Sequence, residues 1–283
     1  MSGVFWIASY PKSGNTWMRA FIRNVLDDDP GPADINDLRV GAIASGRGWI
    51  DDVLGVDTAD LYPEEIASLR PDATSWVSRE ADQLEFHKVH DAWTLDPAGR
   101  PLLGDAARGA LYIVRNPLDI ATSAAQHWGV SLDLAIDRLN DDETRMAVSR
   151  RAMASQVSQT LTSWSGHVRS WVDMAQCPVL ALRYEDMLAE PRQAFGEAAR
   201  FVGLDTDAGR IEKALRHSRF EELAAQESAR GFHERGQSDR FFRRGRAGGW
   251  REELDAEQVA RIVSKHGPVM RRFGYLDEAG TPI

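Results

Sequence analysis

Short apolar runs alternate along this chain with longer stretches of helical periodicity. Runs rich in β-branched and aromatic residues predict strands at residues 4–9, 84–90, 110–115 and 178–184. The intervals between these runs are long enough for crossover helices, which parallel strands require. The pattern therefore predicts an α/β fold, with a central parallel β-sheet flanked by helices.

Apolar residues at helical spacing locate the longer elements. They predict one helix directly after the first strand and a second from Pro117, because proline suits the first turn of a helix. Further helices are predicted over residues 146–174, 191–202 and 256–273.

Two stretches have weaker periodicity. Residues 30–78 are predicted to be rich in loops, and residues 129–145 to form a polar, mobile connection. Residues 129–160 are a candidate lid, whose role the sequence leaves open. Because no internal repeat, low-complexity tract or Pro/Gly/Ser linker divides the chain, we expect a single domain over residues 1–283.

The charge of the chain limits its partners. The formal net charge is −9, which argues against a broad surface for nucleic acid or other polyanions. Positive charge is concentrated between residues 230 and 246, where six arginines accompany only Glu234 and Asp239. A small cationic pocket in an acidic protein predicts a small polyanionic ligand.

Location is predicted from what the sequence lacks. No run of eighteen apolar residues appears, so no membrane span is expected, and the first strand starts too early to leave room for a signal peptide. The single cysteine, Cys177, cannot form an internal disulfide and is expected to be a buried thiol. These observations predict a cytoplasmic protein.

The first candidate site is the loop between the first strand and the first helix, residues 10–17, of sequence YPKSGNTW. A strand, a tight loop and a helix N-terminus in this order form an anion site, to which Lys12 adds a full positive charge. The loop differs from the G-x-x-x-x-G-K-[ST] loop of nucleotide triphosphatases, because Lys12 precedes Gly14 and a second glycine is missing.

This order, P-K-S-G-x-T-W, resembles the phosphosulfate loop of the cytosolic-type, bacterial sulfotransferases that use 3′-phosphoadenosine 5′-phosphosulfate (PAPS). Residues 115–123, with the pattern R-N-P-x-D-x-x-x-S, resemble the second signature of that family, which holds the 3′-phosphate. Residues 242–250, FRRGRAGGW, resemble its R-K-G-x-x-G-D-W loop, with Arg244 replacing lysine and Gly249 replacing aspartate. The resemblance implies a P-loop-like sulfotransferase fold.

Two shorter segments also match. Residues 183–187, RYEDM, and residues 217–223, HSRFEEL, resemble segments that contact the adenine base in the family. The resemblance thus implies a nucleotide site formed by Lys12, Ser13, Gly14, Asn15, Thr16, Trp17, Arg115, Ser123, Tyr184, Ser218, Phe220, Arg243, Arg244 and Gly245. An aromatic side chain such as Trp17 suits the flat face of a purine, whereas Tyr184 and Phe220 fit core packing equally well.

The candidate catalytic groups lie at the end of the second strand. Alternation along a strand places Lys88 and His90 on one face and His87 on the other. His90 matches the catalytic histidine of the family, and an imidazole suits proton abstraction near neutral pH. The resemblance implies that His90 is the general base, while Lys12 and Lys88 stabilise the leaving oxygen and the transferred group.

The acceptor is the least defined part of the prediction. Asp91-Ala92-Trp93 replaces the Leu-Pro pair of the family, and these residues, with Trp49, Trp76 and Trp128, are expected near an acceptor pocket. The sequence predicts sulfuryl transfer to the hydroxyl group of a small aromatic or apolar acceptor. The scattered histidines and the single cysteine predict no metal site.

Three alternatives stay open at this point. The chain could be a P-loop nucleotide kinase, a non-catalytic protein that binds adenosine 3′,5′-bisphosphate (PAP), or a sulfotransferase acting on a sugar or glycolipid. The sequence shows no clear dimer signature, so it leaves monomer and homodimer equally open.

Overall fold

The computed structural model of the protein describes residues 2–38, 40–96, 98–148 and 154–283. The strands, in chain order, are Gly3–Ser9 (β1), Leu84–Val89 (β2), Gly109–Val114 (β3), Arg145–Met146 (β4), Gln159–Thr160 (β5) and Val179–Arg183 (β6). The α-helices are Asn15–Leu26 (α1), Arg47–Leu54 (α2), Pro63–Glu80 (α3), Pro117–Trp128 (α4), Leu132–Asn140 (α5), Trp164–Val172 (α6), Tyr184–Ala189 (α7), Pro191–Val202 (α8), Ala208–His217 (α9), Phe220–Arg230 (α10) and Ala256–Arg272 (α11).

The central sheet has the strand order β2-β1-β3-β6, and every residue of β1 and β3 is buried. β1 pairs in parallel with β2, with Gly3 opposite Leu84 and Ala8 opposite Val89. Strands buried along their whole length suit a sheet covered by helices on both faces. The predicted α/β fold with a central parallel sheet is confirmed, and the four predicted strands agree with the observed ones to within a residue or so.

The chain divides into two compact units, each assembled from three separate segments. The first unit comprises Met1–Tyr10, Val40–Tyr112 and Asp142–Ala181, and the second comprises Pro11–Arg39, Ile113–Asp141 and Leu182–Ile283. The single domain expected over residues 1–283 stays a prediction.

The predicted helices after the first strand, at Pro117, over 191–202 and over 256–273 are all present. The helix predicted over residues 146–174 is confirmed only for Trp164–Val172 (α6), and residues 149–153 lie outside the described residues. β4 pairs with β5, and a helix begins only at Trp164, where the Ser163 hydroxyl accepts a hydrogen bond from Gly166 N. Thr162, at φ 58°, breaks any continuous helix just before that point.

Two other sequence predictions need correction. Residues 30–78 contain α2 and all but the last two residues of the eighteen-residue α3, whose internal Pro71 and polar composition weaken the helical pattern. Residues 132–140 form α5, which Ser131 caps and which buries Ala135, Ile136 and Leu139. Short amphipathic helices of this kind gain their stability from packing, which a local sequence pattern records only weakly.

Candidate active site

The loop after β1 lies in the second unit and has an unusual backbone. Lys12 and Gly14 have φ values of 70° and 108°, in the region that only glycine adopts readily. A Cβ atom on Gly14 would lie 2.8 Å from Cδ2 of Tyr184, so glycine is required here for space as well as for conformation. This backbone turns the chain directly into α1, whose N-cap residue is Gly14 and whose start carries no side-chain cap.

Ser13 gives the clearest indication of a ligand in this loop. Its side chain is fully buried, and its Oγ has no hydrogen-bond partner among the residues that the structure describes. Buried hydroxyl groups are normally paired, because leaving one unpaired costs free energy. An unpaired hydroxyl beside an uncapped helix N-terminus fits an anionic group that accepts hydrogen bonds from both.

Two cations flank this loop within the second unit. Lys12 Nζ lies 3.7 Å from the centroid of the Phe241 ring, and the Lys12 carbonyl accepts a hydrogen bond of 2.9 Å from Arg115 Nη1. The Arg115 guanidinium also lies 4.4 Å from the centroid of the Tyr184 ring. Lys12, Arg115 and Tyr184 therefore lie near one another, and their place in a nucleotide site stays a prediction.

The aromatic candidates lie in two places. Trp17 packs edge-on against Tyr184 and Phe195, at centroid distances of 5.8 and 4.9 Å. Phe220 lies against residues 242–250, the basic loop, since a Cβ on Gly245 would overlap its ring. The Tyr184 phenol is mostly buried, and this burial raises its pKa.

The two serine candidates differ in their surroundings. Ser218 Oγ donates to the Ala214 carbonyl at 2.8 Å, inside the last turn of α9, and is fully buried. Ser123 lies on α4 and is half-buried. The structure thus gives Ser218 a local partner already, while Ser123 stands about two helical turns from the N-cap residue Asn116.

The basic loop is less positive than the sequence suggested. Arg244 Nη1 and Arg243 Nη2 lie 2.6 and 3.1 Å from the same carboxylate oxygen of Glu253. Arg246 makes a 2.6 Å ion pair with Glu252. Glu234 and Asp239 are the only acidic residues within 230–246, but further balancing carboxylates come from the turn that follows the loop.

Asp119 is a site residue that sequence reasoning missed. It lies in the first turn of α4, and its carboxylate accepts hydrogen bonds from Gly248 N at 2.7 Å and Trp250 N at 3.0 Å. The loop lacks the aspartate of the family pattern at position 249, and Asp119 fixes its backbone from another element. Asp119 is the aspartate of the R-N-P-x-D pattern, but that pattern does not show which backbone groups its carboxylate binds.

The candidate base, His90, lies in the first unit and is buried. Its Nδ1 lies 2.8 Å from the Ser9 carbonyl oxygen and 3.4 Å from Ser9 Oγ. A carbonyl only accepts, so Nδ1 carries the hydrogen and Nε2 carries the lone pair in the neutral ring. Lys88, half-buried on β2, stands opposite Ile7 of β1.

His87 occupies the other face of β2, as the alternation predicts. It is buried, and its Nε2 lies 2.8 Å from Glu85 Oε2. This hydrogen bond lowers the pKa of the Glu85 carboxyl group. His87 thus has a hydrogen-bond partner of its own in Glu85.

A second histidine, His167, contacts the backbone of His90. His167 Nε2 lies 3.0 Å from the His90 carbonyl oxygen, and its Nδ1 lies 2.9 Å from the Tyr112 hydroxyl. Burial lowers the pKa of His167 to about 4, so the ring is neutral, with Nε2 donating to the carbonyl and Nδ1 accepting from Tyr112. Sequence reasoning missed this residue, because nothing in its local sequence marks it.

The residues after His90 lie in the core of the first unit. Asp91 is 0% exposed and pairs with Arg70 at 2.7 Å, while Trp93 is buried against Trp171 at a centroid distance of 5.4 Å. Both side chains are therefore fixed in internal packing, and the expectation that they lie near an acceptor pocket stays a prediction. Trp49 and Trp128 are half-buried and Trp76 is 60% exposed, and their role near an acceptor stays a prediction.

Two kinds of feature are absent from the described part of the chain. Within it, no group of three or more histidine, cysteine, aspartate or glutamate side chains is placed to hold a metal ion. No helix there has the length and apolar character needed to cross a membrane.

Relatives of the chain are found both by sequence and by fold. Residues 102–274, more than half of the chain, match the model of the sulfotransferase domain. Cytosolic sulfotransferase 10 of Arabidopsis thaliana is 24% identical over 271 residues, covering 90% of this chain and 74% of the relative. Sulfotransferase 1A1 of the dog (Canis lupus familiaris) is also 24% identical, over 219 residues, covering 77% of this chain and 64% of the relative.

Among solved structures, mouse sulfotransferase SULT7A1 complexed with PAP has a TM-score of 0.60 at 16% identity and covers 98% of this chain and 87% of its own. Retinol dehydratase in complex with retinol and PAP has a TM-score of 0.60 at 19% identity, with coverages of 95% and 81%. These likenesses confirm the predicted fold. Together with the match of the domain model, they show that the chain belongs to the sulfotransferase family.

Proposed function

We propose that the protein transfers the sulfuryl group of PAPS to the hydroxyl group of a small aromatic or apolar acceptor. The observation that carries this proposal is the loop 12–14, with its unpaired, buried Ser13 hydroxyl and the uncapped start of α1. These donors and the Lys12 ammonium suit an anionic ligand. Two of the structural relatives are complexes with PAP, which supports PAPS and PAP as that ligand.

When bound, PAPS supplies a sulfuryl group whose transfer leaves negative charge on a phosphate oxygen. Lys12 Nζ and the N–H groups at the start of α1 stabilise that charge, and Lys88 contributes a second ammonium to the transferred group. Arg115, Ser123 and the loop 243–245 hold the 3′-phosphate. Trp17, Tyr184, Ser218 and Phe220 hold the adenine, with Asn15 and Thr16 completing the phosphate loop.

His90 is the proposed general base. Its Nε2 removes the proton from the acceptor hydroxyl, since Nδ1 is already committed to the Ser9 carbonyl. The same carbonyl stabilises the imidazolium ion that proton abstraction creates. The neutral His167 fixes the backbone of His90, which keeps the ring at the end of β2.

The test is incubation of the purified protein with radiolabelled PAPS and a panel of phenols, alkyl alcohols, amines and glycosides. We expect labelled product with phenols or apolar alcohols. Product with glycosides alone would replace the acceptor class by a sugar, and binding of PAP without any product would favour a non-catalytic PAP-binding protein. Activity on ATP with Mg²⁺ but none on PAPS would favour a nucleotide kinase.

Two variants test the proposed roles. His90→Ala is expected to lose most turnover while still binding PAP, and His87→Gln, on the other face of the same strand, is the control for altered packing of β2. Lys12→Ala is expected to weaken both PAP binding and turnover, with the exposed Lys265→Ala as its control. Full turnover by His90→Ala would reject the base, and unchanged PAP affinity in Lys12→Ala would reject the role of the loop.

The cytoplasmic location, the bacterial type and the independence of metal ions stay predictions. A chelator is expected to leave turnover unchanged, and fractionation of the source cells would test the location. The oligomeric state, monomer or homodimer, can be measured by sedimentation of the purified chain.

A further inference from the structure

The ammonium group of Lys12 lies over the face of an aromatic ring. Lys12 Nζ is 3.7 Å from the centroid of Phe241, and both residues belong to the second unit. A cation within about 6 Å of a ring centroid, above the ring face, is attracted by the negative face of the π system. Phe241 comes just before the basic loop and was not among the site residues predicted from the sequence.

The Phe241 ring is fixed from several sides. The backbone N–H of Phe241 donates to Glu227 Oε1 at 2.7 Å, and the N–H of Phe242 donates to the other oxygen of the same buried carboxylate at 2.9 Å. The ring meets Phe232 edge-on at 4.9 Å and His127 edge-on at 5.9 Å. The surface that Phe241 offers to Lys12 therefore has a defined position.

The backbone end of Lys12 is fixed as well. The Lys12 backbone has a φ of 70°, and its carbonyl accepts a hydrogen bond from Arg115. Between that backbone and the ammonium runs a flexible four-carbon stem, whose many rotamers would otherwise spread the charge over a large volume. Contact with a fixed ring reduces that spread.

We propose that Phe241 is a positioning residue, which holds the Lys12 ammonium in place on its aromatic face. An aromatic ring attracts a cation without adding a formal negative charge, so Lys12 keeps its full charge for an anionic ligand. A carboxylate in the same place would compete with that ligand. The effect on turnover rests on the proposed function, whereas the contact itself does not.

The experiment replaces Phe241 by phenylalanines with one, two and three ring fluorines, which retain the shape of the ring and progressively weaken its attraction for a cation. We expect kcat to fall stepwise, by about tenfold in total, with little change in the KM for PAPS. The matched control is the same series at Phe242, which shares the Glu227 contact and the aromatic cluster. That series is expected to change kcat by less than about twofold.

A second measurement does not depend on activity. The ε-methylene protons of Lys12, assigned in ¹³C-labelled protein by their loss in Lys12→Arg, are expected to resonate upfield because of the Phe241 ring current. Phe241→Leu should remove that shift, and Phe241→Trp should keep it.

The two readouts separate the possible failures. Absence of the upfield shift would overturn the positioning role. An equal fall of kcat per added fluorine in the Phe241 and Phe242 series would overturn it as well. If the wild-type protein transfers no sulfuryl group, the proposed function fails, and the NMR comparison still decides whether Phe241 holds Lys12.

Discussion

Asp91→Asn provides the sharpest test of the packing that supports His90. Arg70 and Asp91 form a two-pronged ion pair, with Nη1–Oδ1 and Nη2–Oδ2 distances of 2.9 and 2.7 Å, and their side chains are 2% and 0% exposed. The asparagine removes the negative charge and leaves the guanidinium buried with nothing to balance it. Loss of one member of a buried pair costs about 3–5 kcal/mol of the free energy of unfolding.

The matched control makes the same chemical change at the surface. Arg79 and Asp105 pair at 2.8 Å, with both side chains 61% exposed. Because solvent screens an exposed pair, Asp105→Asn should cost no more than about 1 kcal/mol. The two variants thus differ in the burial of the pair and not in the type of substitution.

The assay is urea denaturation followed by far-ultraviolet circular dichroism. With a slope of about 3 kcal/mol per molar urea, Asp91→Asn should lower the midpoint by about 1 M or more, and Asp105→Asn by about 0.3 M at most. The double variant Arg70→Met with Asp91→Leu should recover most of the loss, because an apolar pair carries no desolvation cost. An Asp91→Asn midpoint equal to that of Asp105→Asn would refute the reasoning.

Three further predictions concern single groups. Burial lowers the pKa of His167 to about 4 from a usual 6.5, so between these pH values the unfolded chain binds a proton that the folded protein does not. The free energy of unfolding should therefore fall by about 3 kcal/mol as the pH drops from 6.5 to 4. His167→Gln should lose this component of the pH dependence in denaturation curves. Burial raises the pKa of the Cys177 thiol to about 11, so its reaction with iodoacetamide at pH 8 should be about a hundredfold slower than that of a free thiol, and a rate equal to that of glutathione would contradict this. Asp119→Asn removes an acceptor for Gly248 N or Trp250 N and should lower PAP affinity about tenfold, as measured by calorimetry. An unchanged affinity would show that the loop keeps its shape without this carboxylate.

The parts of the fold that the sequence predicts correctly are those with strong local signals. β1 and β3 are continuous apolar runs, and α8 starts at a proline and ends at a left-handed glycine, Gly203. α3 and α5 were missed, because an internal proline weakens the pattern of one and the other buries only three residues. Their stability comes from contacts with distant parts of the chain, which no window of sequence contains.

The candidate site divides in a similar way. The backbone turn at Gly14 and the position of His90 at the end of β2 follow from the sequence, since strand and loop geometry are local. The partners of these residues are not local. His167, Phe241 and Asp119 lie far along the chain from the groups that they contact, and their own neighbours in sequence give no sign of those contacts.

The ion pairs of Arg243, Arg244 and Arg246 with Glu252 and Glu253 have a consequence for how quickly an anion arrives. Guanidinium groups that are already neutralised, on a chain of net charge −9, project little attractive field into the solvent. Encounter with a nucleotide should then proceed by unguided diffusion, and its bimolecular rate constant, measured by stopped flow, should change little between low and high ionic strength. Selectivity for the anion would arise after collision, when these arginines exchange their carboxylate partners for the anion.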